Sequence, residues 1–434
     1  MKKFFFKRKI ISSILLFLFI FSCFSPFFFA QVNNDSSKGE FVENSEELKL
    51  SATSWTTTEV VSTESSGESR YPTIAVDDAA NVHVVWRDDT NYGDSGTDKD
   101  VFYRRWIANS STWTTIEVVS TESTDNSYET TIAVDGAGNV HVAWRDDTYY
   151  GSGTDDDIFY KRLIATSSTW TTTEVVSTES SGESVFPTIA VDGAGNVHMA
   201  WFDGTNYGGS GGDYDIFYKR WNATNSIWTT TEVVSTESTS NSYKTTIAVD
   251  SAGNVHITWY DYTNYGGSET DSDIFYKRWN VTSSTWTTTE VVSTESTGDS
   301  YDPTIAVDDT GSVHIAWNDA TNYGGSGTDR DIFYKLWNAT SNTWTTTEVV
   351  STESTGDSYH PTIAVDGVGN AHIVWRDLTD YSGAGTDYDI FYKRLVEFPS
   401  EQFDMAIIII ITASIIGGIG LAIAITIILI RKRK

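Results

Sequence analysis

Six residues of different chemistry occupy one recurring position in this chain. They are Tyr71, Glu129, Phe186, Lys244, Asp302 and His360, spaced about 58 residues apart. Glu129, Asp302 and His360 are of the types that give and take protons, and Lys244 can pair with a carboxylate. A second position holds Arg87, Arg145, Phe202, Tyr260, Asn318 and Arg376. Its three arginines suit a carboxylated ligand through charge-assisted bonds. Each is followed by an aspartate (Asp88, Asp146, Asp377), so a local ion pair is the competing reading. For the first position the competing reading is an exposed slot that drifts freely. Asp203, Asp213 and Asp215, with their equivalents, supply hard oxygens suited to calcium, without EF-hand spacing. Solvated acidic turns are the alternative there, and no motif requires any cofactor.

These positions stand out because almost everything around them repeats. Glu-Val-Val recurs with its glutamate at Glu59, Glu117, Glu174, Glu232, Glu290 and Glu348. Asp-Ile-Phe-Tyr recurs from Asp157, Asp215, Asp273, Asp331 and Asp389, and as Asp-Val-Phe-Tyr from Asp100. Such a period means stacked units that cannot bury their apolar faces alone. Within one unit, Pro187–Asp192, Val197–Trp201, Ile216–Trp221 and Trp228–Ser235 are Thr-, Val- and aromatic-rich runs between Gly/Asn turns. They read as strands, and no stretch of the repeat has a helical period. The expected fold is all-β: a six-bladed β-propeller of four-stranded blades. Trp55–Ser62 is a fourth-strand phrase with no blade before it, and the last unit stops after its third strand at Arg394. The early strand is therefore expected to complete the last blade and close the ring. The recurrent tryptophans read as inter-blade packing. The histidines at 83, 141, 198, 256, 314 and 372, one per blade, read as structural hydrogen-bonding groups rather than a metal cluster.

The ends set the compartment. Residues 1–30 combine five basic residues with an apolar run, the pattern of a secretory signal. Residues 31–53 form an acidic linker of disordered composition. The propeller is assigned to 54–396 and a connector to 397–404. Residues 405–430 are expected to be one transmembrane helix, and 431–434 a basic tail held in the cytoplasm. This predicts a single-pass protein of the cell membrane with an extracellular propeller. Cys23, the only cysteine, lies in the signal, so the mature chain makes no disulfide. Sequons at Asn109, Asn222, Asn280 and Asn338 sit in the turn after the third strand, where Asn and Thr also suit the turn itself.

The net charge is −30, and both basic clusters lie outside the repeats, which are more acidic still. Such a surface repels phosphate backbones, so nucleic acid is excluded as a partner. The two variable positions fall at the channel mouth, on the face of the acidic loops. The chain leaves the last blade from the other face, so this one is expected to point away from the cell.

The phrase Pro361-Thr-Ile-Ala-Val-Asp-Gly-Val-Gly-Asn-Ala-His-Ile-Val-Trp375 and its copies resemble the repeats of six-bladed sialidase-like propellers of prokaryotic surfaces. The resemblance covers 54–396 and implies the fold. Sialidases proper add an arginine triad, a Tyr/Glu nucleophile pair, an aspartate acid/base and Ser-x-Asp-x-Gly-x-Thr-Trp boxes. Here that turn reads Asn-Ala-Thr-Ser-Asn-Thr-Trp at 338–344, and no Phe-Arg-Ile-Pro phrase occurs. No catalytic residue carries over. Near-identical repeats favour binding over catalysis, which needs unlike residues converging on one point. The reading is a surface propeller for ligand binding or adhesion, recognising a glycan or protein. A sialidase-like hydrolase using the channel mouth and a structural envelope protein are the alternatives.

Overall fold

A computed structural model describes residues 56–93, 95–148, 155–266, 268, 271–381, 383 and 387–395, and the backbone of 405–415 and 421–431. The expected signal, linker and connector lie outside these residues. The chain divides into Met1–Thr58 and Glu59–Lys434, and the second unit holds the repeats.

Six antiparallel sheets follow one another, and they are the blades of a β-propeller. The third blade runs through Ser184–Val191, Val197–Asp203 and Asp215–Asn222. Its fourth strand is two short pieces, Ile227–Trp228 and Glu232–Val233, both paired to Asp215–Asn222. The sequence suggests one continuous strand there. It breaks because Thr231 turns its hydroxyl to Glu179 of the preceding blade, at 2.6 Å. The turn between the first two strands is built on Asp192. Its Oδ1 accepts from the amides of Ala194 and Asn196, while Gly195 takes a φ of 81°. The Asp192 Oδ2 lies 3.2 Å from His198 Nε2, and His198 Nδ1 lies 2.7 Å from the Tyr218 hydroxyl. Burial holds His198 below the usual histidine range, so it is a neutral structural group.

Blades adhere through three recurrent contacts. Buried apolar residues interleave, as when Val85, Val101, Tyr103 and Val119 meet Ile132, Val142 and Trp144. Fourth-strand tryptophans reach back one blade: Trp228 donates to Glu174 at 2.9 Å and sets its ring edge-on to Tyr160. Lys219 is buried and donates to Val176 O, Thr178 Oγ1 and Glu179 Oε2 at 2.9, 2.8 and 2.7 Å. Lys161, Lys277, Lys335 and Lys393 repeat this latch.

The junction between the sixth and first blades differs. Val61 packs beside Trp86, Phe102 and Ile116, as Val119 packs on the second blade. The sixth sheet, however, has three strands, Ser358–Val365, Ala371–Asp377 and Asp389–Leu395. Ile390 is 76% exposed where its equivalents Ile158 and Ile216 are fully buried, and Ile74 is 65% exposed where Ile363 is 7%. Among the described residues no ladder joins the Glu59 phrase to the last blade, so closure stays an expectation.

Met405–Ile415 and Leu421–Arg431 are two antiparallel strands, paired from Met405↔Arg431 to Ile415↔Leu421. The sequence reading puts one helix there. No helix among the described residues is long and apolar enough to cross a membrane. Isoleucine and threonine favour extended backbone, whereas a bilayer favours the helix, which satisfies every backbone group within itself.

Candidate functional site

The first strand of every blade carries a bulge at the variable position. In the second blade Tyr128 opposes Arg145 and Thr131 opposes Ala143, so Glu129 and Thr130 crowd opposite one residue. The residue at the bulge has left-handed backbone in all six blades: φ is 53° at Tyr71, 50° at Glu129, 53° at Phe186, 51° at Lys244, 50° at Asp302 and 49° at His360. Side chains with a Cβ pay about 1–2 kcal/mol for this conformation. Four of the six also precede proline, which disfavours it further. Strain repeated at the positions that vary most is the pattern of a built site.

All six residues line one cavity of about 730 Å3 at the centre of the ring, together with Arg87 and the Pro/Thr residues that follow each bulge. Its wall is unequal. Glu129 Oε2 accepts from the Phe186 amide at 2.8 Å, its Oε1 lies 3.4 Å from Arg145 Nη1, and burial pushes its carboxyl upward. Lys244 Nζ stands 4.0 Å from the centre of the Phe186 ring, a cation–π contact. Asp302 Oδ2 takes the Asn318 amide at 3.0 Å and faces His360 Nδ1 at 3.0 Å.

The three arginines do not all converge: Arg87 and Arg145 share the Tyr128 ring, and Arg376 does not. Arg87 lies on the cavity wall, 4.8 Å from the Tyr71 ring and 5.5 Å from that of Tyr128. Arg145 pairs with Asp156 at 2.8 Å, and Arg376 lies 4.2 Å over Tyr388. Nor do they pair with the aspartates that follow them. Neighbours along a strand point to opposite sides, and Asp146 is buried under Ser123, Ser127, Trp144 and the Thr148 amide.

Beside the cavity lies a run of aromatic rings. Phe186 stacks on Phe202 at 5.3 Å, Phe202 meets Tyr243 at 5.4 Å, Tyr243 meets Tyr260 at 5.7 Å, and Tyr260 meets Tyr301 at 5.1 Å. Tyr214 lies against both Phe202 and Tyr243. Burial, then the Asp302 carboxylate and the neighbouring phenols, push Tyr260 up to about 12, so it stays a neutral hydroxyl donor. The run spans the third to fifth blades, whereas Arg87, Lys99 and Arg145 crowd Tyr128 at the first junction.

Two parts of this surface escape the sequence reading. Tyr128, Tyr243, Tyr301 and Tyr359 recur and so read as scaffold. The residue between the aspartates of each Asp-x-Asp varies as Lys99, Asp156, Tyr214, Ser272, Arg330 and Tyr388. That variability is legible in the sequence. Arg330 now stacks 4.9 Å over Tyr301.

Replacing His360 by Gly removes the left-handed strain and one exposed ion pair, contacts of comparable size. Urea unfolding is expected to show stability unchanged or higher by about 1 kcal/mol. A loss of 2 kcal/mol would make His360 a scaffold residue.

No family model and no curated protein matches the chain. Among solved structures it is similar to a protein of unknown function from Dyadobacter fermentans, at 11% identity over 76% of this chain and 94% of that one, TM-score 0.46. It is also similar to the intramolecular trans-sialidase of Ruminococcus gnavus, at 11% identity over 76% and 94%, TM-score 0.45. The NanB sialidase of Streptococcus pneumoniae matches at 8% over 77% and 69%, TM-score 0.45. Similarities of this size carry no residue and no activity across.

Proposed function

We propose that this protein is a membrane-anchored, extracellular β-propeller that binds glycans at the mouth of its channel. The continuous aromatic run beside a strained polar rim is the observation that carries this reading. The apolar faces of sugar rings lie on aromatic rings, while hydroxyls need the mixed donors and acceptors that Glu129, Lys244, Asp302 and His360 offer. The repeated fold with changed rim residues suits recognition of an extended chain by several small contacts. The anchor rests on the apolar length of 405–430 and the basic residues after it.

Hydrolysis is the second reading, favoured by one observation: Glu129 is half-buried and its carboxyl is shifted toward the protonated form, as a general acid requires. The full chain in detergent, applied to a glycan array and to fluorogenic glycosides including a sialoside, separates the two. The account expects array binding without turnover. Turnover lost in Glu129→Gln would establish the hydrolase, and silence in both assays would leave a structural envelope role.

A further inference from the structure

The loop after each second strand ends in Asp-x-Asp, six times over: 98/100, 155/157, 213/215, 271/273, 329/331 and 387/389. The second aspartate opens the third strand. Asp100, Asp215 and Asp331 are each 1–2% exposed. In each, Oδ1 accepts from a serine just after the fourth strand, Ser120, Ser235 or Ser351, at 2.7 Å. In each, Oδ2 is buried without a hydrogen-bond partner, and so is Oδ2 of Asp329. A buried carboxylate oxygen without a donor costs more than the hydrogen bond it lacks.

The surroundings deepen the problem. The first aspartate, two residues earlier, adds its charge to the second: Asp98 to Asp100, Asp213 to Asp215 and Asp329 to Asp331. The ladder sets Asp88, Asp203 and Asp319 opposite Asp100, Asp215 and Asp331. Those opposing carboxylates are themselves filled by serine, threonine and tryptophan donors, as in Asp203 with Ser180, Ser184 and Trp201. The residue between the two aspartates points away: Lys99 and Arg330 turn to Tyr128 and Tyr301. Negative charge thus accumulates where no basic side chain answers it, and an aspartate of the next blade, Asp146, Asp261 or Asp377, adds to it. The loop backbone closes on the same spot. Gly96, Gly211 and Gly327 have φ of 104–111°, and a Cβ there would meet Asp98, Asp213 or Asp329 Oδ1 at 2.5–2.6 Å.

We propose that the Asp-x-Asp of the first, third and fifth blades each binds a calcium ion, held by the buried and the rim aspartate and completed by main-chain oxygen and water. Hard oxygens, few protein charges and a flexible Gly-rich loop suit calcium better than magnesium, which demands a tight octahedron. No cluster of three acidic, histidine or cysteine side chains forms among the described residues, so affinity belongs in the weak range of extracellular modules. Asp203, named with this set on sequence grounds, is not a ligand because its oxygens are already used. The ion would fix the loops that rim the ligand face.

The test is equilibrium dialysis and thermal unfolding of the full chain, stripped with chelator and returned to calcium or magnesium. Binding of at least three calcium ions per chain is expected, with a midpoint rise of about 5 °C or more that magnesium does not reproduce. The triple substitution Asp98→Asn, Asp213→Asn and Asp329→Asn spares every buried hydrogen bond named above. It should keep the calcium-free midpoint and lose three ions. Asp215→Asn alone should lose one ion without lowering the calcium-free midpoint. Absence of binding, or stoichiometry unchanged in the triple variant, overturns the proposal. An Asp215→Asn chain that unfolds early without calcium shows the carboxylate to be a structural acceptor and overturns it too.

Discussion

Replacing Lys219 by Met is expected to lower the free energy of unfolding by about 3 kcal/mol, read from urea titration. Lys219 spends all three protons on the blade before it: the Val176 carbonyl, the Thr178 hydroxyl and the Glu179 carboxylate. Removing the ammonium strands a buried carbonyl and leaves Glu179 without the cation that holds its carboxyl low. Breaking a buried pair from one side costs about 3–5 kcal/mol. The lower figure applies because the Glu179 side chain is 28% exposed. Arginine should serve in its place. The first blade already uses Arg104 there, whose Nη1 donates to Val61 O at 2.7 Å and to Thr63 Oγ1 at 2.9 Å. A Lys219→Met loss below 1 kcal/mol would mean that apolar packing alone binds the blades.

Deleting residues 54–63 is expected to lower the thermal midpoint by about 10 °C, the sum of one part-buried valine and several inter-blade hydrogen bonds. Val61 would leave the Trp86–Phe102–Ile116 cluster, Trp113 would lose its 2.7 Å bond to Glu59, and Arg104 two of its three acceptors. A second effect follows if the ring closes as the repeat implies. Elsewhere the equivalent phrase pairs with its own third strand, as Phe217↔Val233 and Tyr218↔Glu232. The same register would set Val60 opposite Phe391 and Glu59 opposite Tyr392, and would cover the exposed Ile390 and Ile74. Cysteines at positions 60 and 391 should then cross-link on oxidation. An unchanged midpoint together with absent cross-linking would sink the closure model.

The repeat made the fold legible, because a fixed period with four strand-like runs leaves few architectures, and it also located the rim. Tyr71, Glu129, Phe186, Lys244, Asp302 and His360 break the copying in the sequence, and they line one cavity. What the repeat could not reveal is contact across blades. Tyr243 looks like scaffold in sequence because it recurs, yet recurrence is what builds a row of rings when successive blades set it beside Phe202 and Tyr260. Arg145 looks paired to Asp146 in sequence, but strand alternation sends the two to opposite sides and gives Arg145 to Asp156. Position in the chain states which residues are equivalent, and only the packing of one blade on the next states which of them meet.

The central claim is that the aromatic run and the strained rim form a glycan site. Affinity of the full chain for its best array glycan, measured by calorimetry in the wild type and in Tyr243→Ala, tests it most directly. Truncating a ring in a stacked binding surface is expected to weaken binding about tenfold or more in a chain that is still folded at the temperature of the measurement. Equal affinity in the two proteins would contradict the account.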